Sequence, residues 1–163
     1  AMGRKLLEDK TLAPCSLYYK FYLHEALVKA GLGDGYLGWL DIWRENIAMG
    51  LTTWGETSDV NGTRSDCHAW GSSPNIEFYR TVLGIDSAAP GFARVRIEPN
   101  LGALQEIGGA IPHPAGAVSV HYRMKGRTLL AEIVLPDGVD GVFRFGGSDY
   151  PLHPGRNELS VRN

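Results

Sequence analysis

The densest group of reactive and aromatic side chains in the 163-residue sequence lies between residues 52 and 70. One segment reads Thr52-Thr53-Trp54-Gly55-Glu56, and the other reads Ser65-Asp66-Cys67-His68-Ala69-Trp70. Indole rings pack on the apolar face of a pyranose ring, while carboxylate, guanidinium and imidazole groups bind its hydroxyls. These segments therefore predict a carbohydrate site. Its six candidate members are Trp54, Glu56, Arg64, Asp66, His68 and Trp70.

Each candidate also has a purely structural interpretation. Glu56 could be a solvated loop carboxylate and His68 a hydrogen-bonding structural histidine, while the two indoles could anchor the loop in a core. Arg64 and Asp66 could form a surface ion pair, which is worth only about 0–1 kcal/mol. Glycoside hydrolysis requires two carboxyl groups, one as the acid and one as the base or nucleophile. Glu56 is the single clear candidate here.

The elements that must position these residues follow from hydrophobic periodicity. Apolar residues at helical spacing predict helices over residues 14–30, 36–48 and 74–83, with a long loop over residues 50–73. The first predicted helix is apolar nearly all round, so we expect it to pack on several sides. Trp39 and Trp43 stand one helical turn apart and are expected to serve packing.

Beyond Gly84 the rhythm changes to the alternation that is typical of strands. Strands are predicted over residues 92–97, 117–122, 129–135 and 141–145, with turn residues between them. Helices followed by strands predict an α+β chain in two units, residues 1–86 and residues 87–163. The second unit is expected to be an antiparallel β-sandwich. Three helices are too few for a closed helical domain, so the first unit is expected to be part of a larger one.

Composition excludes several classes of partner. Sixteen basic and eighteen acidic residues give a net charge of -2, which argues against nucleic acid or an anionic membrane. Apolar stretches fall short of the ~18 residues that span a membrane. Cys15 and Cys67, like the scattered histidines, lack metal-ligand spacing, so no metal is expected. The glycines at 33, 35 and 38 match a dinucleotide motif only in spelling, because a helix precedes them.

The order of motifs resembles family 78 of the glycoside hydrolases, the bacterial α-L-rhamnosidases. The resemblance begins with Tyr-Lys-Phe-Tyr-Leu-x-Glu-Ala-Leu at residues 19–27 and continues with Gly-x-Thr-Thr-Trp-x-Glu at 50–56 and Ser-Asp-Cys-His-Ala-Trp at 65–70. Pro-Gly-Phe at 90–92, Val-Arg-Ile-Glu-Pro at 95–99 and Pro-Ala-Gly at 114–116 extend it into the predicted sandwich. The resemblance therefore covers the chain from about residue 14 onward.

This resemblance implies that residues 1–86 are the terminal helices of an (α/α)6 barrel that removes terminal α-L-rhamnose with inversion and without an organic cofactor. Glu56 matches the family's general base, and His68 and Trp70 match a substrate-contacting segment. Trp54 stands two residues before Glu56, whereas the commoner spelling is Thr-Thr-x-Trp-Glu. The general acid would lie upstream of this sequence.

Several expectations about partners follow. The chain is expected to be a fragment that is inactive alone, that acts on rhamnosides with the missing N-terminal part of the parent chain, and that self-associates through the helix containing Leu17, Phe21 and Leu27. One alternative is a non-catalytic carbohydrate-binding module that uses Trp54, His68 and Trp70. Another is a structural accessory module whose sandwich caps a barrel and whose exposed helices mediate assembly.

Overall fold

The computed structural model describes residues 2–57, 59, 61–62 and 65–162. The chain divides into two compact units, Ala1–Glu77 and Phe78–Asn163. The first unit is helical and the second consists mainly of β-strands, so the predicted α+β class is confirmed. The division precedes the boundary expected from the sequence, because the last helical turns and the short strand at Ile85–Ser87 belong to the second unit.

Within the described residues, the helical unit contains four α-helices, which are connected by loops and by 3-10 and π-helical turns. They are α1 (Met2–Glu8), α2 (Leu17–Leu27), α3 (Asp41–Ala48) and α4 (Ser73–Glu77). Ser16 caps α2, since its hydroxyl accepts a hydrogen bond from the Tyr19 N–H. A π-turn over Val28–Leu32 and a 3-10 segment over Gly33–Trp39 follow α2. The glycine-rich stretch is therefore a helix-to-helix connection, as predicted.

Helix α2 divides into a buried stripe and an exposed aromatic face. Leu17, His24 and Leu27 are buried, and they fall on one side of the helix because 3.6 residues complete each turn. The exposed ring-bearing side chains on this helix are Tyr18, Tyr19 and Tyr22. Leu17 and Leu27 are therefore not available for self-association. Self-association stays a prediction, and of the three residues named for it only Phe21 is partly exposed. None of the described helices is long and apolar enough to cross a membrane.

The second unit begins with a π-turn over Phe78–Val82, and its described residues contain eight strands. The strands are β1 (Ile85–Ser87), β2 (Arg94–Ile97), β3 (Glu106–His113), β4 (Gly116–Lys125), β5 (Thr128–Leu135), β6 (Asp140–Phe145), β7 (Ser148–Leu152) and β8 (Gly155–Arg162). They form two four-stranded sheets, β1-β2-β6-β7 and β3-β4-β5-β8. All described pairings are antiparallel except that of β2 with β6, which is parallel. The sandwich is therefore antiparallel, as predicted, except for this one parallel pair of strands.

A single apolar core lies between the two sheets. Val95 and Phe143 from one sheet and Tyr122 and Ile133 from the other are fully buried in it. The Tyr122 hydroxyl donates to the backbone oxygen of Leu83 at 2.9 Å, which satisfies its polar end. Burial raises the pKa of Tyr122 well above its ordinary value. Apolar residues from both sheets facing one another in this way make the unit a β-sandwich.

The entry into the sandwich depends on close backbone packing at Gly84. This residue has a φ of 76°, and its carbonyl accepts a hydrogen bond from the Glu98 N–H at 2.9 Å. A Cβ atom at this position would stand 2.2 Å from the carbonyl carbon of Glu98. Any side chain here would therefore push the segment before β1 away from the residues that follow β2.

We expect Gly84→Ala to destabilise the sandwich by about 3 kcal/mol or more, through both left-handed strain and the backbone clash. Gly126 is the matched control, because it also has a positive φ but has open space around its Cβ position. Gly126→Ala should cost only about 1–2 kcal/mol. Amide hydrogen exchange in β4 and β5 measures both losses, and equal losses would refute the role of the close contact.

Candidate functional site

The two segments that carry the candidate residues lie side by side. The Glu56 N–H donates to the backbone oxygen of Ser65 at 2.8 Å, and the His68 N–H donates to the backbone oxygen of Trp54 at 2.8 Å. These bonds form a short stem in the loop between α3 and α4. The stem brings Trp54 and Glu56 next to the His68 segment, as a shared site requires.

Among the described residues, the structure shows no site contact of the Asp66 side chain, and it does not describe Arg64. Arg64 lies outside the described residues, so its predicted pairing with Asp66 stays a prediction. The Asp66 side chain is exposed, while the backbone oxygen of Asp66 accepts a hydrogen bond from the Thr53 hydroxyl. At the tip of the loop, the Asp59 carboxylate accepts from the Asn61 N–H at 3.0 Å, which makes an Asx turn.

Trp43 and Gly71 hold the stem against the helical core. The buried Trp43 indole N–H donates to the backbone oxygen of Gly71 at 2.7 Å, and the Gly71 N–H donates to the backbone oxygen of His68 at 3.1 Å. A Cβ atom on Gly71 would stand 2.4 Å from the Cβ of Trp54. Trp43 is thus a packing residue, as predicted. Trp54 is half-buried and lies against Gly71, so its indole helps to hold the loop in place.

His68 and Trp70 form the accessible part of the site. Their ring centroids are 4.2 Å apart, and Trp70 is 42% exposed. The Nδ1 atom of His68 is buried and has no hydrogen-bond partner among the described residues. Imidazole nitrogens both donate and accept hydrogen bonds, but this one is closed to solvent, so a ligand hydroxyl reaches it only after the surrounding side chains move. The indole provides an apolar surface beside it.

The structure adds Tyr18, which sequence reasoning missed as a site residue. Its ring lies edge-on to Trp70 with a centroid distance of 5.2 Å, and it also contacts Tyr22 at 5.5 Å. Both tyrosines lie on α2, far from Trp70 in sequence. One sequence signal points to them. The first turns of α2 contain several tyrosines in addition to the leucines that face the core, so the tyrosines are left for another surface.

A buried histidine packs against Trp43, the tryptophan that holds the loop through Gly71. His24 is 4% exposed, and its ring packs on Tyr36, Trp39 and Trp43 at centroid distances of 5.5, 5.3 and 6.1 Å. Burial, with a smaller contribution from the Lys20 charge, lowers the pKa of His24 to about 4. The imidazole is therefore neutral at neutral pH and behaves as a core ring.

Other places in the described chain offer less chemistry. A cavity of about 370 Å³ lies on the outer face of β4, β5 and β8, between Arg123 and Glu132. Its lining has no Phe, Tyr or Trp, and its charges are engaged in ion pairs such as Arg123–Glu106 at 2.6 Å and Arg156–Glu132 at 2.9 Å. No group of three or more His, Cys, Asp or Glu residues that could hold a metal occurs in the described part of the chain.

Comparison with known proteins points to one family. Residues 84–150 match the family model described as bacterial alpha-L-rhamnosidase C-terminal domain. The native α-L-rhamnosidase of Aspergillus terreus is similar over 99% of this chain and 21% of its own, with 20% identity and a TM-score of 0.83. The chain thus spans about a fifth of that enzyme. No curated protein sequence matches the chain.

Two further solved structures share the fold. The GH78 family rhamnosidase of Bacillus sp. GL1 is similar over 79% of this chain and 15% of its own, with 26% identity and a TM-score of 0.73. The Streptomyces avermitilis α-L-rhamnosidase, which was solved in complex with L-rhamnose, is similar over 74% and 15%, with 17% identity and a TM-score of 0.63. The predicted resemblance to bacterial α-L-rhamnosidases is confirmed, and the match to a C-terminal domain agrees with it.

We expect Gly71→Ala to separate the loop stem from the core, because the new methyl group would collide with Trp54. The cost should be about 1–3 kcal/mol. Hydrogen exchange at the Trp43 indole N–H reports the loss of this hydrogen bond directly. Gly38→Ala is the control, since open space surrounds that Cβ position, and similar exchange in both variants would rule out the proposed anchoring.

The stability of the helical unit should depend on pH through His24. The unfolded histidine takes up its proton near pH 6.5, while the folded one does so near pH 4. The full stability is therefore present above pH 6.5 and falls as the pH drops to 4, by about 3 kcal/mol in total. Chemical denaturation across this range should show the slope, and His24→Gln should reduce it. An unchanged slope would mean that other groups cause it.

Proposed function

We propose that the chain is the C-terminal part of a glycoside hydrolase that removes terminal α-L-rhamnose by inverting hydrolysis, since residues 84–150 match the family model of the bacterial alpha-L-rhamnosidase C-terminal domain. The observation that carries this proposal is the loop stem, which joins the Glu56 segment to the His68 segment through backbone hydrogen bonds. The remaining four-fifths of a relative such as the A. terreus enzyme lie outside the similar region. We therefore place the rest of the sugar pocket in an upstream part of the parent chain.

The helical unit fits the terminal helices of an (α/α)6 barrel, with the sandwich following it. In such a barrel, α2, α3 and α4 would pack against upstream helices. The exposed tyrosines of α2 would then border the site rather than open solvent. This arrangement supports an active-site role for the loop between α3 and α4, because catalytic loops are held by rigid scaffolds.

Glu56 is proposed as the general base. An inverting glycosidase uses a carboxylate to take a proton from water while the water attacks the anomeric carbon from the face opposite the leaving group. The acid that protonates the leaving oxygen would stand ~6.5–9.5 Å away and come from the upstream part. This chemistry needs two carboxyl groups and a water molecule, without an organic cofactor.

The neighbouring side chains would hold the sugar. His68 would bond a hydroxyl once a shift of its ring exposes the unpartnered Nδ1, and the exposed ring of Trp70 can pack against the apolar face of the pyranose. Arg64 and Asp66 remain candidates for further hydroxyl contacts. Trp54 serves the site by anchoring the stem through its packing on Gly71.

A second candidate function is a non-catalytic carbohydrate-binding module, with Trp54, His68 and Trp70 as its contacts. The observation in its favour is that the loop offers one strong carboxyl candidate, whereas glycoside hydrolysis needs two. The two functions differ in one measurable respect, because only the hydrolase depends on the charge of Glu56.

We expect Glu56→Gln in the full-length enzyme to lower kcat for an aryl α-L-rhamnoside by about 10²–10⁴-fold with little change in KM, since the amide keeps the shape but cannot accept the proton. Steady-state kinetics, with other aryl glycosides as substrate controls, measure this. Glu45→Gln is the matched control, because Glu45 is an exposed carboxylate on α3.

Unchanged kcat would remove Glu56 from the mechanism. Absence of turnover on every glycoside by the unaltered enzyme would favour the binding module. The 163-residue chain assayed alone should show no turnover, because it lacks the upstream acid.

A further inference from the structure

We propose that a groove on the outer face of the sheet β3-β4-β5-β8 binds a hexuronate ring of an acidic oligosaccharide. The groove lies in the sandwich unit, whereas the candidate sugar site lies in the helical unit. The inference goes beyond the proposed function, because it concerns a second ligand site and is tested by binding rather than by turnover. Its occupant carries a carboxylate and several hydroxyl groups on one ring.

The groove has the size and the mixed lining of a sugar-binding site. It is the cavity of about 370 Å³ on the outer face of β4, β5 and β8, and ligand sites in proteins begin at about 300 Å³. Two neighbouring rows of side chains across these strands line it, namely Arg123, Leu130 and Ser160 in one row and His121, Glu132 and Glu158 in the other. Leu130, on the middle strand, offers an apolar surface to the C–H groups of a sugar ring.

Ion pairs fix the two carboxylates of the groove and leave each with a spare acceptor. Arg156 donates to one oxygen of Glu132 at 2.9 Å and to one oxygen of Glu158 at 2.8 Å. The second oxygen of each carboxylate has no hydrogen-bond partner among the described residues. On β4, Arg123 donates to Glu106 at 2.6 Å through one nitrogen and keeps further N–H donors. Acceptors and donors at fixed positions are what the hydroxyls of a sugar ring require.

Unpaired cations lie at one end of the groove. The next row of the same face, toward the turn between β4 and β5, consists of Lys125, Thr128 and Arg162. The Lys125 and Arg162 side chains are exposed, and neither makes an ion pair with a described residue. A ligand carboxylate over Thr128 therefore meets a cation on either side, one from β4 and one from β8.

This combination selects a uronate over other ligands. A phosphate chain would set negative charges against Glu132 and Glu158, and it has no hydroxyl to donate to their oxygens. A neutral sugar would leave Lys125 and Arg162 without a partner. A hexuronate ring satisfies both groups, because its hydroxyls donate to the carboxylates of the groove and its own carboxylate accepts from the cations.

The charges also indicate that this face stays open to solvent in the parent chain. Lysine and arginine side chains are almost never fully buried unless they are paired, since removing a charge from water is costly. Packing of this face against an upstream domain would bury Lys125 and Arg162 in that state. The groove therefore differs from the apolar surfaces of the helical unit, which we assign to contacts with upstream helices.

The test is isothermal titration calorimetry of the full-length enzyme with trigalacturonate, at low salt and with L-rhamnose present at saturation. Rhamnose fills the candidate sugar site, so the heat reports binding elsewhere. We expect trigalacturonate to bind, and the double variant Lys125→Ala/Arg162→Ala to bind it about tenfold more weakly. Arg94→Ala is the matched control, because Arg94 is an exposed cation on β2 in the other sheet, and it should leave the affinity unchanged.

A further variant separates a specific groove from a diffuse positive patch. Glu158→Ala removes a negative charge, so a diffuse patch would bind trigalacturonate more tightly. In the proposed groove the same change removes a hydroxyl acceptor, so we expect weaker binding of trigalacturonate and tighter binding of tripolyphosphate. Glu158 is exposed, and thermal unfolding of each variant checks that the sandwich is intact.

The proposal is overturned if trigalacturonate does not bind, if Arg94→Ala loses as much affinity as the double variant, or if Glu158→Ala binds trigalacturonate more tightly. None of these results affects the proposed function, because the same variants should hydrolyse an aryl α-L-rhamnoside as the unaltered enzyme does. Conversely, an enzyme that binds trigalacturonate as expected but hydrolyses no rhamnoside would keep the groove and lose the proposed function.

Discussion

The candidate site depends on one hydrogen bond, from the buried Trp43 indole to the backbone oxygen of Gly71. It joins α3 to the far end of the loop that carries Glu56, and Gly71 in turn bonds to the backbone of His68. The absence of a side chain at Gly71 lets Trp54 pack directly over it. This bond fixes the long polar loop to the apolar core. The backbone hydrogen bonds of the stem then hold the segments of Glu56 and His68 side by side.

The family match and the site come from different parts of the chain. The match to a rhamnosidase C-terminal domain covers residues 84–150 of the sandwich unit, whereas the candidate residues lie in the helical unit. The sandwich has its own core and satisfies its buried tyrosine internally, while opposite charges pair on its outer faces. Its features are those of a stable scaffold. The candidate site residues lie in the helical unit, where aromatic rings are exposed and a histidine nitrogen lacks a partner among the described residues.

Periodicity was enough to predict the long helix α2, the helix α3 and the strands β2, β4, β5 and β6, because each repeats apolar residues at a fixed spacing. It missed the short elements α1, β1 and β7, as well as β3, whose two adjacent glycines and proline resemble a turn, and β8, whose polar residues alternate at a sheet edge. The stem was foreseeable as two reactive segments in one loop. The place of Tyr18 beside Trp70 was not, since that contact depends on how α2 packs against the loop, and no local pattern encodes it.

The central claim is that the stem places Glu56 and His68 around a single rhamnose. The most direct measurement is a crystal structure of the full-length enzyme with L-rhamnose bound. We expect His68 to bond a sugar hydroxyl, Trp70 to pack against the ring, and the Glu56 carboxylate to face the anomeric carbon. A sugar bound away from residues 52–70, or a Glu56 carboxylate turned away from it, would contradict the account.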